Sequence, residues 1–362
     1  MNFDDIRPYT DAEVPMVVER LLNNREFIDT LVGYALPAWA QPFGFALRPL
    51  VKYRAKKRWG RMTSVKQIQG SLDVYIKAML KRSTDGFSVS GSQNLQPGKS
   101  YLFVSNHRDI VLDPALVNMA LFKLGRETVR IAIGDNLLTK PFIEDMMRLN
   151  KSFIVKRSVT NPRQKLKELG RLSQYIRESV KQGESVWIAQ REGRAKDGMD
   201  MTDPAIIKMF HLSGRAAKQD LSNSINELEI VPVAISYELD PLAEEKAREL
   251  DIRERTGDYE KEDHEDIQSI VNGILGHKGQ IHVAFGEPVK GEFDTPEQVA
   301  EAIDKQIACL YKLFPTNYAA EDKSDQEQLM RMLDNVPQDL HSRVLTMYAN
   351  PVHRAKSYQS LT

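Results

Sequence analysis

The strongest constraint on this chain is an alternation that begins near Phe87. Short runs rich in β-branched and aromatic residues ("SYLFVSN", "TVRIAIG", "KSFIVKRS", "ESVWIAQREG", "LEIVPVAISYE", "QIHVAFGEPV") alternate with longer segments whose apolar residues recur at helical spacing. "ALVNMALFKLG", "PFIEDMMRLN" and "PRQKLKELGRLSQYIRESVKQG" are the clearest of these. Neighbouring parallel strands need a crossover long enough to hold a helix, so strand–helix alternation points to parallel pairing. The pattern predicts an α/β fold over residues 86–315, a mixed, largely parallel sheet flanked by helices. Residues 1–85 read as a helical region ending in "SVKQIQGSLDVYIKAMLKRS". Residues 316–362 read as a helical extension that packs on the domain edge and is partly flexible.

Charge is distributed unevenly. The formal net charge is zero, so nothing global argues for a nucleic-acid partner. From Thr30 to Leu72, however, there is no Asp or Glu, and Arg48, Lys52, Arg54, Lys56, Lys57, Arg58, Arg61 and Lys66 all fall there. A local basic field of this kind suits an anionic membrane surface. Within it, Leu31 to Val51 has about the length of a membrane span, but Pro37, Pro42 and Pro49 break it. Trp39, Phe43 and Phe45, followed by the basic run, suit a segment lying in the interface. The competing readings are an irregular buried hairpin and a true span. The acidic start "MNFDDIRPYTDAEV" excludes a signal peptide. The expectation is a peripheral or monotopic protein on the cytoplasmic face of a membrane, the bacterial inner membrane in particular.

A single cysteine, Cys309, leaves no intrachain disulfide and no cysteine zinc cluster. It lies in the helical pattern "AIDKQIACLYKLF", which predicts a core position. The histidines show no metal-ligand spacing, so neither a metal nor another cofactor is expected.

Ligand sites in α/β sheets gather at the carboxyl ends of strands, and three polar clusters stand there. Asn106-His107-Arg108-Asp109 and Asp113 follow "YLFVS", Lys156-Arg157-Ser158 follow "SFIV", and Arg191-Glu192-Gly193-Arg194-Ala195-Lys196 follow "SVWIAQ". A histidine flanked by carboxylates, with two basic clusters, describes a site that deprotonates a substrate and holds an anion. No GxSxG elbow is present, which removes the usual serine-hydrolase reading. "HRD" at 107–109 opens a protein-kinase catalytic loop, but the metal-binding Asn required five residues beyond the Asp is here Pro114. GxGxxG and DFG are absent as well. The kinase reading fails.

Taken in order, "SNHRDIVLD", "SFIVKRS", "QREGRAKDG" and "IVPVAISYE" resemble the four blocks of the glycerol-3-phosphate and lysophosphatidate acyltransferase family, and "GQIHVAFGEPV" its closing strand. The resemblance implies acyl transfer from acyl-CoA or acyl-carrier protein to glycerol-3-phosphate or a lysophospholipid, 1-acylglycerol-3-phosphate above all. It implies that His107 is the general base, oriented by an aspartate. It implies that Lys156, Arg157 and Arg194 bind the acceptor phosphate, and that Glu192 and Gly193 match the "EG" of the third block. Pro232 would shape the floor of the acyl site.

Two departures bear on the site. Five residues separate His107 from the second aspartate where the family has four. Either the loop bulges to restore a pair with Asp113, favoured by the following Pro114 and the apolar "IVL" before it, or Asp109 takes the role. The third block is one residue tighter than usual, so Arg191 or Lys196 could substitute for Arg194 in the phosphate pocket. The altered third block also motivates a non-phosphate lysolipid acceptor as an alternative, and the irregular histidine-to-aspartate spacing motivates a non-catalytic lipid-binding protein on the same fold.

Overall fold

The structure, a computed structural model, describes residues 2–35, 44–261 and 265–360. Its seven strands are β1 (Gly86–Ser90), β2 (Leu102–Ser105), β3 (Arg130–Gly134), β4 (Ser152–Val155), β5 (Val186–Ala189), β6 (Ile230–Tyr237) and β7 (Gln280–Phe285). The chain divides into two compact units, Met1–Tyr75 with Arg130–Lys165, and Ile76–Val129 with Leu166–Thr362.

The first unit is organised by helix amphipathicity. Helix Val14–Asn23 buries Val14, Val17, Val18, Leu21 and Leu22 along one stripe, the spacing expected of a helix with one apolar face. Against it pack Phe27, Ile28 and Val32 of helix Arg25–Ala35, Ala55 of helix Gly44–Trp59, and Phe142 and Leu149 of helix Pro141–Leu149. Strands β3 and β4 pair in parallel. One buried carboxylate ties the pieces together: Asp145 accepts from the Arg20 guanidinium at 2.6 Å and from the Tyr9 hydroxyl at 2.7 Å.

The Leu31–Val51 segment is only partly within the described residues; Pro37, Trp39, Pro42 and Phe43 lie outside them. Pro49 does not break the chain as the sequence reading expected. It sits inside helix Gly44–Trp59, where it removes only the bond to the carbonyl of Phe45, an exposed residue in the first turn. No helix among the described residues is long and apolar enough to cross a membrane.

The second unit holds a sheet in the order β1-β7-β6-β2-β5. Pairing is parallel between β1 and β7, β2 and β6, and β2 and β5, and antiparallel between β6 and β7. The expected mixed, largely parallel sheet flanked by helices is therefore present. β2 and β6 are buried along their whole length, as strands covered on both faces are. Among the flanking helices are Leu112–Lys123, Pro204–Ala216, Ala243–Thr256, Glu265–Leu275 and Pro296–Leu310. Residues beyond 315 add the helices Pro315–Asp322, Glu327–Leu333 and His341–Gln359. Their Ala319, Leu329, Leu333, Val344, Met347 and Tyr348 form a common core with Ala243 and Ala247. Thr316 also donates its hydroxyl to the Glu238 carbonyl at 2.9 Å, just past the end of β6.

Cys309 is exposed rather than in the core. Helix Pro296–Leu310 buries Val299, Ala300, Ile303, Asp304, Ile307 and Ala308, and Cys309 falls one residue past that stripe, where the helix has turned outward.

Candidate active site

The site is assembled at the carboxyl ends of β2, β5 and β6, in the second unit. The backbone ladder between β2 and β6 ends at Ser105 and Val233, and a side chain continues it. The fully buried Asn106 amide donates to the Ile235 carbonyl at 2.9 Å, and its oxygen accepts the Ile235 N–H at 2.8 Å. The residue before His107 is thereby fixed to the sheet. The imidazole lies edge-on to the Trp187 ring of β5, with centroids 5.9 Å apart.

Asp113 is the aspartate that meets His107. Its Oδ2 lies 2.9 Å from His107 Nδ1 and also accepts the backbone N–H groups of Arg108 at 2.6 Å and Asp109 at 2.9 Å. Its Oδ1 accepts the Tyr237 hydroxyl at 2.8 Å. Four donors on one fully buried side chain match the acceptor capacity of a carboxylate. Since a carboxylate only accepts, Nδ1 carries the imidazole proton and Nε2 keeps its lone pair. Burial, then the charge of Asp113, pushes the Tyr237 hydroxyl well above the ordinary tyrosine range, so it remains a donor.

Asp109 does something else. Its Oδ1 accepts the N–H groups of Val111 at 2.9 Å and Leu112 at 2.8 Å, satisfying orphan donors where helix Leu112–Lys123 begins. Its Oδ2 occupies the space a side chain on Gly273 would need, 2.1 Å from where a Cβ would stand. Burial, followed by the charge of Asp113, pushes the Asp109 carboxyl up. The additional residue between histidine and aspartate is thus absorbed in a turn that Asp109 closes, and Asp113 arrives in the first helical turn.

The loop after β5 is attached to the histidine by its own backbone: Ala195 N donates to the His107 carbonyl at 2.8 Å. Glu192 and Gly193 are exposed at its tip, and Gly193 has φ +75°, where a Cβ would be strained. Arg191 and Arg194 are half-buried. Lys196 pairs with Glu249 at 2.6 Å; burial pulls its ammonium below the usual lysine range, although Glu249 opposes this. Lys156 and Arg157 belong to the first unit. There Lys156 pairs with Asp5 at 2.6 Å, and the Arg157 N–H donates to Asp135 at 3.0 Å. Pro232 lies within β6, opposite Val104 of β2.

Residues 86–236 match the family model for acyltransferases. Over this stretch the chain is similar to the acyltransferase family. The matched stretch includes the His107 loop, the loop after β5 and β6 through Ser236. Similar proteins include two glycerol-3-phosphate acyltransferases. That of Pseudomonas syringae pv. tomato is 27% identical over 63% of this chain and 26% of its own length. That of Pseudomonas fluorescens strain SBW25 is 29% identical over 63% of this chain and 26% of its own length. The chain thus spans about a quarter of the length of these relatives. A solved 1-acyl-sn-glycerophosphate acyltransferase from Thermotoga maritima aligns over 78% of this chain and 92% of its own, with TM-score 0.40 and 14% identity.

Several residues of the candidate site were absent from the sequence reading. Tyr237 ends the strand "IVPVAISY", and a hydroxyl at the carboxyl end of a buried strand was a usable signal. Asp200 was not legible: it takes the Arg108 guanidinium at 2.6 Å and the Asn106 amide at 3.4 Å, both more than ninety residues away. Lys246 is buried, bonded to the Arg108 carbonyl at 2.8 Å and paired with Asp240.

Proposed function

We propose that this protein is a glycerolipid O-acyltransferase. It moves a fatty acyl chain from acyl-CoA or acyl-carrier protein to glycerol-3-phosphate or 1-acylglycerol-3-phosphate, with His107 as general base. The observation that carries this reading is the His107–Asp113 pair at 2.9 Å, inside a segment matched to the acyltransferase family. In the proposed step the acceptor hydroxyl oxygen attacks the thioester carbonyl carbon while His107 Nε2 takes the hydroxyl proton. The tetrahedral intermediate collapses with cleavage of the carbon–sulfur bond. The imidazolium returns the proton to the departing sulfur, leaving an ester and a free thiol. Asp113 holds the tautomer and stabilises the imidazolium, as a histidine base requires. Arg191 and Arg194, on the loop bonded to the His107 carbonyl, suit the acceptor's phosphate through guanidinium fork geometry. Lys156 and Arg157 are further candidates for the same role.

The protein would work on an anionic membrane surface at the cytoplasmic face. Helix Gly44–Trp59 supports this: Phe45, Leu50 and Tyr53 are exposed, as are Arg54, Lys56 and Lys57. Each basic residue near such a surface adds about 1 kcal/mol. Replacing Arg54, Lys56, Lys57 and Arg61 with glutamine should therefore weaken binding to phosphatidylserine vesicles by up to about 10³-fold in cosedimentation. Unchanged partitioning would refute the surface assignment.

The function itself is tested with labelled acyl-CoA and acyl-carrier protein, each offered with glycerol-3-phosphate, 1-acylglycerol-3-phosphate or a neutral lysolipid. Labelled ester should form with a phosphate acceptor and fall by 10²-fold or more in His107→Ala. Product with the neutral lysolipid alone would reassign the acceptor. No product from any pairing would refute the enzyme reading.

A further inference from the structure

The loop that carries Arg194 is gripped from two sides. On the histidine side, Ala195 N reaches the His107 carbonyl, and Asp200 holds Arg108. On the other side stands helix His341–Gln359, which lies outside the residues matched to the family. Asn350 Nδ2 donates to the Asp197 carbonyl at 2.6 Å. The Met347 carbonyl is 2.2 Å from the point where a Cβ on Gly198 would stand, and Pro351 Cδ is 3.3 Å from it. Gly198 also has φ +78°. Both the close approach and the backbone conformation exclude a side chain there.

Pro351 explains how the helix admits the loop. A residue at this position would normally donate its N–H to the carbonyl four residues earlier, which is Met347; proline has no N–H to give. That carbonyl is therefore released from the helix ladder, and it is the one facing Gly198, within reach of a weak Cα–H···O contact. The helix is itself anchored. Asn317 Nδ2 donates to the Tyr348 carbonyl at 2.9 Å, and the Tyr348 hydroxyl accepts the Asp240 N–H at 2.6 Å. Further along, Arg354 approaches Asp304 at 3.6 Å, and Asp304 accepts both the N–H and the hydroxyl of Thr202, at 2.8 and 2.5 Å. Met347, Asn350, Pro351 and Arg354 share one face of the helix.

We propose that helix His341–Gln359 is the positioning element of the arginine-bearing loop, with Asn350 and Gly198 as positioning residues that set affinity for the anionic acceptor. This rests on the reading of Arg194 as a phosphate ligand. The helix acts on acceptor binding and leaves the His107–Asp113 pair, which has its own anchors in Asn106 and Tyr237, undisturbed.

The test uses the full chain and the variants Asn350→Leu and Gly198→Ala, with glycerol-3-phosphate or 1-acylglycerol-3-phosphate, whichever the wild type accepts. Acceptor KM should rise about tenfold in Asn350→Leu and further in Gly198→Ala, while donor KM and kcat at saturating acceptor stay within twofold. Amide exchange of residues 194–200 should quicken in both variants. In an Arg194→Gln background, Asn350→Leu should add less than twofold. Unchanged acceptor KM in both variants of an active enzyme, or equal losses in kcat and both KM values, would overturn the positioning role alone. A wild type that acylates no phosphate acceptor would overturn this proposal together with the acceptor reading beneath it. Should Gly198→Ala fail to fold, Asn350→Leu decides alone, since Asn350 is only half-buried.

Discussion

Replacing Asp113 with asparagine separates the two candidate aspartates more cleanly than alanine would. Alanine strands four donors, the His107 Nδ1–H, the N–H groups of Arg108 and Asp109 and the Tyr237 hydroxyl, each costing about 1–3 kcal/mol when buried and unpaired. Asparagine can keep its carbonyl toward His107, Arg108 and Asp109 and turn its amide toward the Tyr237 oxygen, which also accepts. Shape and most of the hydrogen bonds survive, the Tyr237 hydroxyl turning from donor to acceptor, and the charge is removed. At the 2.9 Å separation of His107 and Asp113, a full imidazolium–carboxylate pair is worth about 6 kcal/mol at an effective dielectric constant of about 20. With roughly half of the proton transferred in the transition state, about 3 kcal/mol is lost, or about 10²-fold in rate. Asp109→Asn keeps an acceptor for Val111 and Leu112 and carries no such charge, so activity should stay within about threefold. Single-turnover acyl transfer, with folding verified by circular dichroism, measures both. Asp113→Asn within threefold of wild type, or Asp109→Asn as the more damaging change, would refute the pairing argument.

Three further outcomes follow from the geometry. Tyr237→Phe removes one neutral-to-charged hydrogen bond from Asp113 and should cost about 1.5–3 kcal/mol in transition-state stabilisation or stability, read as a roughly ten- to hundredfold fall in kcat/KM or a lowered urea midpoint. An unaltered enzyme would remove Tyr237 from the orienting set. Lys278 is fully buried and donates to Ser83 Oγ and the Ile274 and Gly276 carbonyls, and burial, opposed by the charge of Asp109, lowers it to about 8. Between pH 8 and the ordinary lysine value of about 10.4, the unfolded chain holds a proton that the folded one has released, so stability rises with pH there. The total gain is on the order of 3 kcal/mol. Denaturant melts across this window should give that slope in wild type and a flatter one in Lys278→Met; equal slopes would refute it. Gly273→Ala would drive a methyl into Asp109 Oδ2 and should destabilise by about 1–3 kcal/mol, whereas a neutral effect would mean the turn yields freely.

The strands were legible because each is a short apolar run between turn signals, and the histidine loop because Pro114 marks a helix start beside it. What the sequence concealed is non-local. Tyr237 reaches Asp113 across 124 positions and Asp200 reaches Arg108 across 92; neither distance leaves a local pattern. The engagement of Lys196 with Glu249, 53 residues on, is equally silent. Cys309 shows the limit of periodicity itself, since a single step around a helix separates core from solvent. Pro49 shows the limit of a breaker rule, because a proline early in a helix removes little. The pairing of His107 was open in the sequence for a definite reason: a turn of one extra residue can be closed by either neighbouring acid, and only the sheet decides.

The Asn106 amide that splices the histidine loop onto β6 has a consequence for biogenesis. Its partner Ile235 lies 129 positions downstream, and Tyr237 follows two residues later. During synthesis at about 5–20 residues per second, the histidine loop emerges roughly 6–26 seconds before the strand that holds it. The nascent chain therefore exposes His107, unoriented, until β6 leaves the ribosome and docks beside β2. Orientation of His107 waits on tertiary closure, so a chain interrupted within that interval carries every residue of the histidine block without the contacts that hold it.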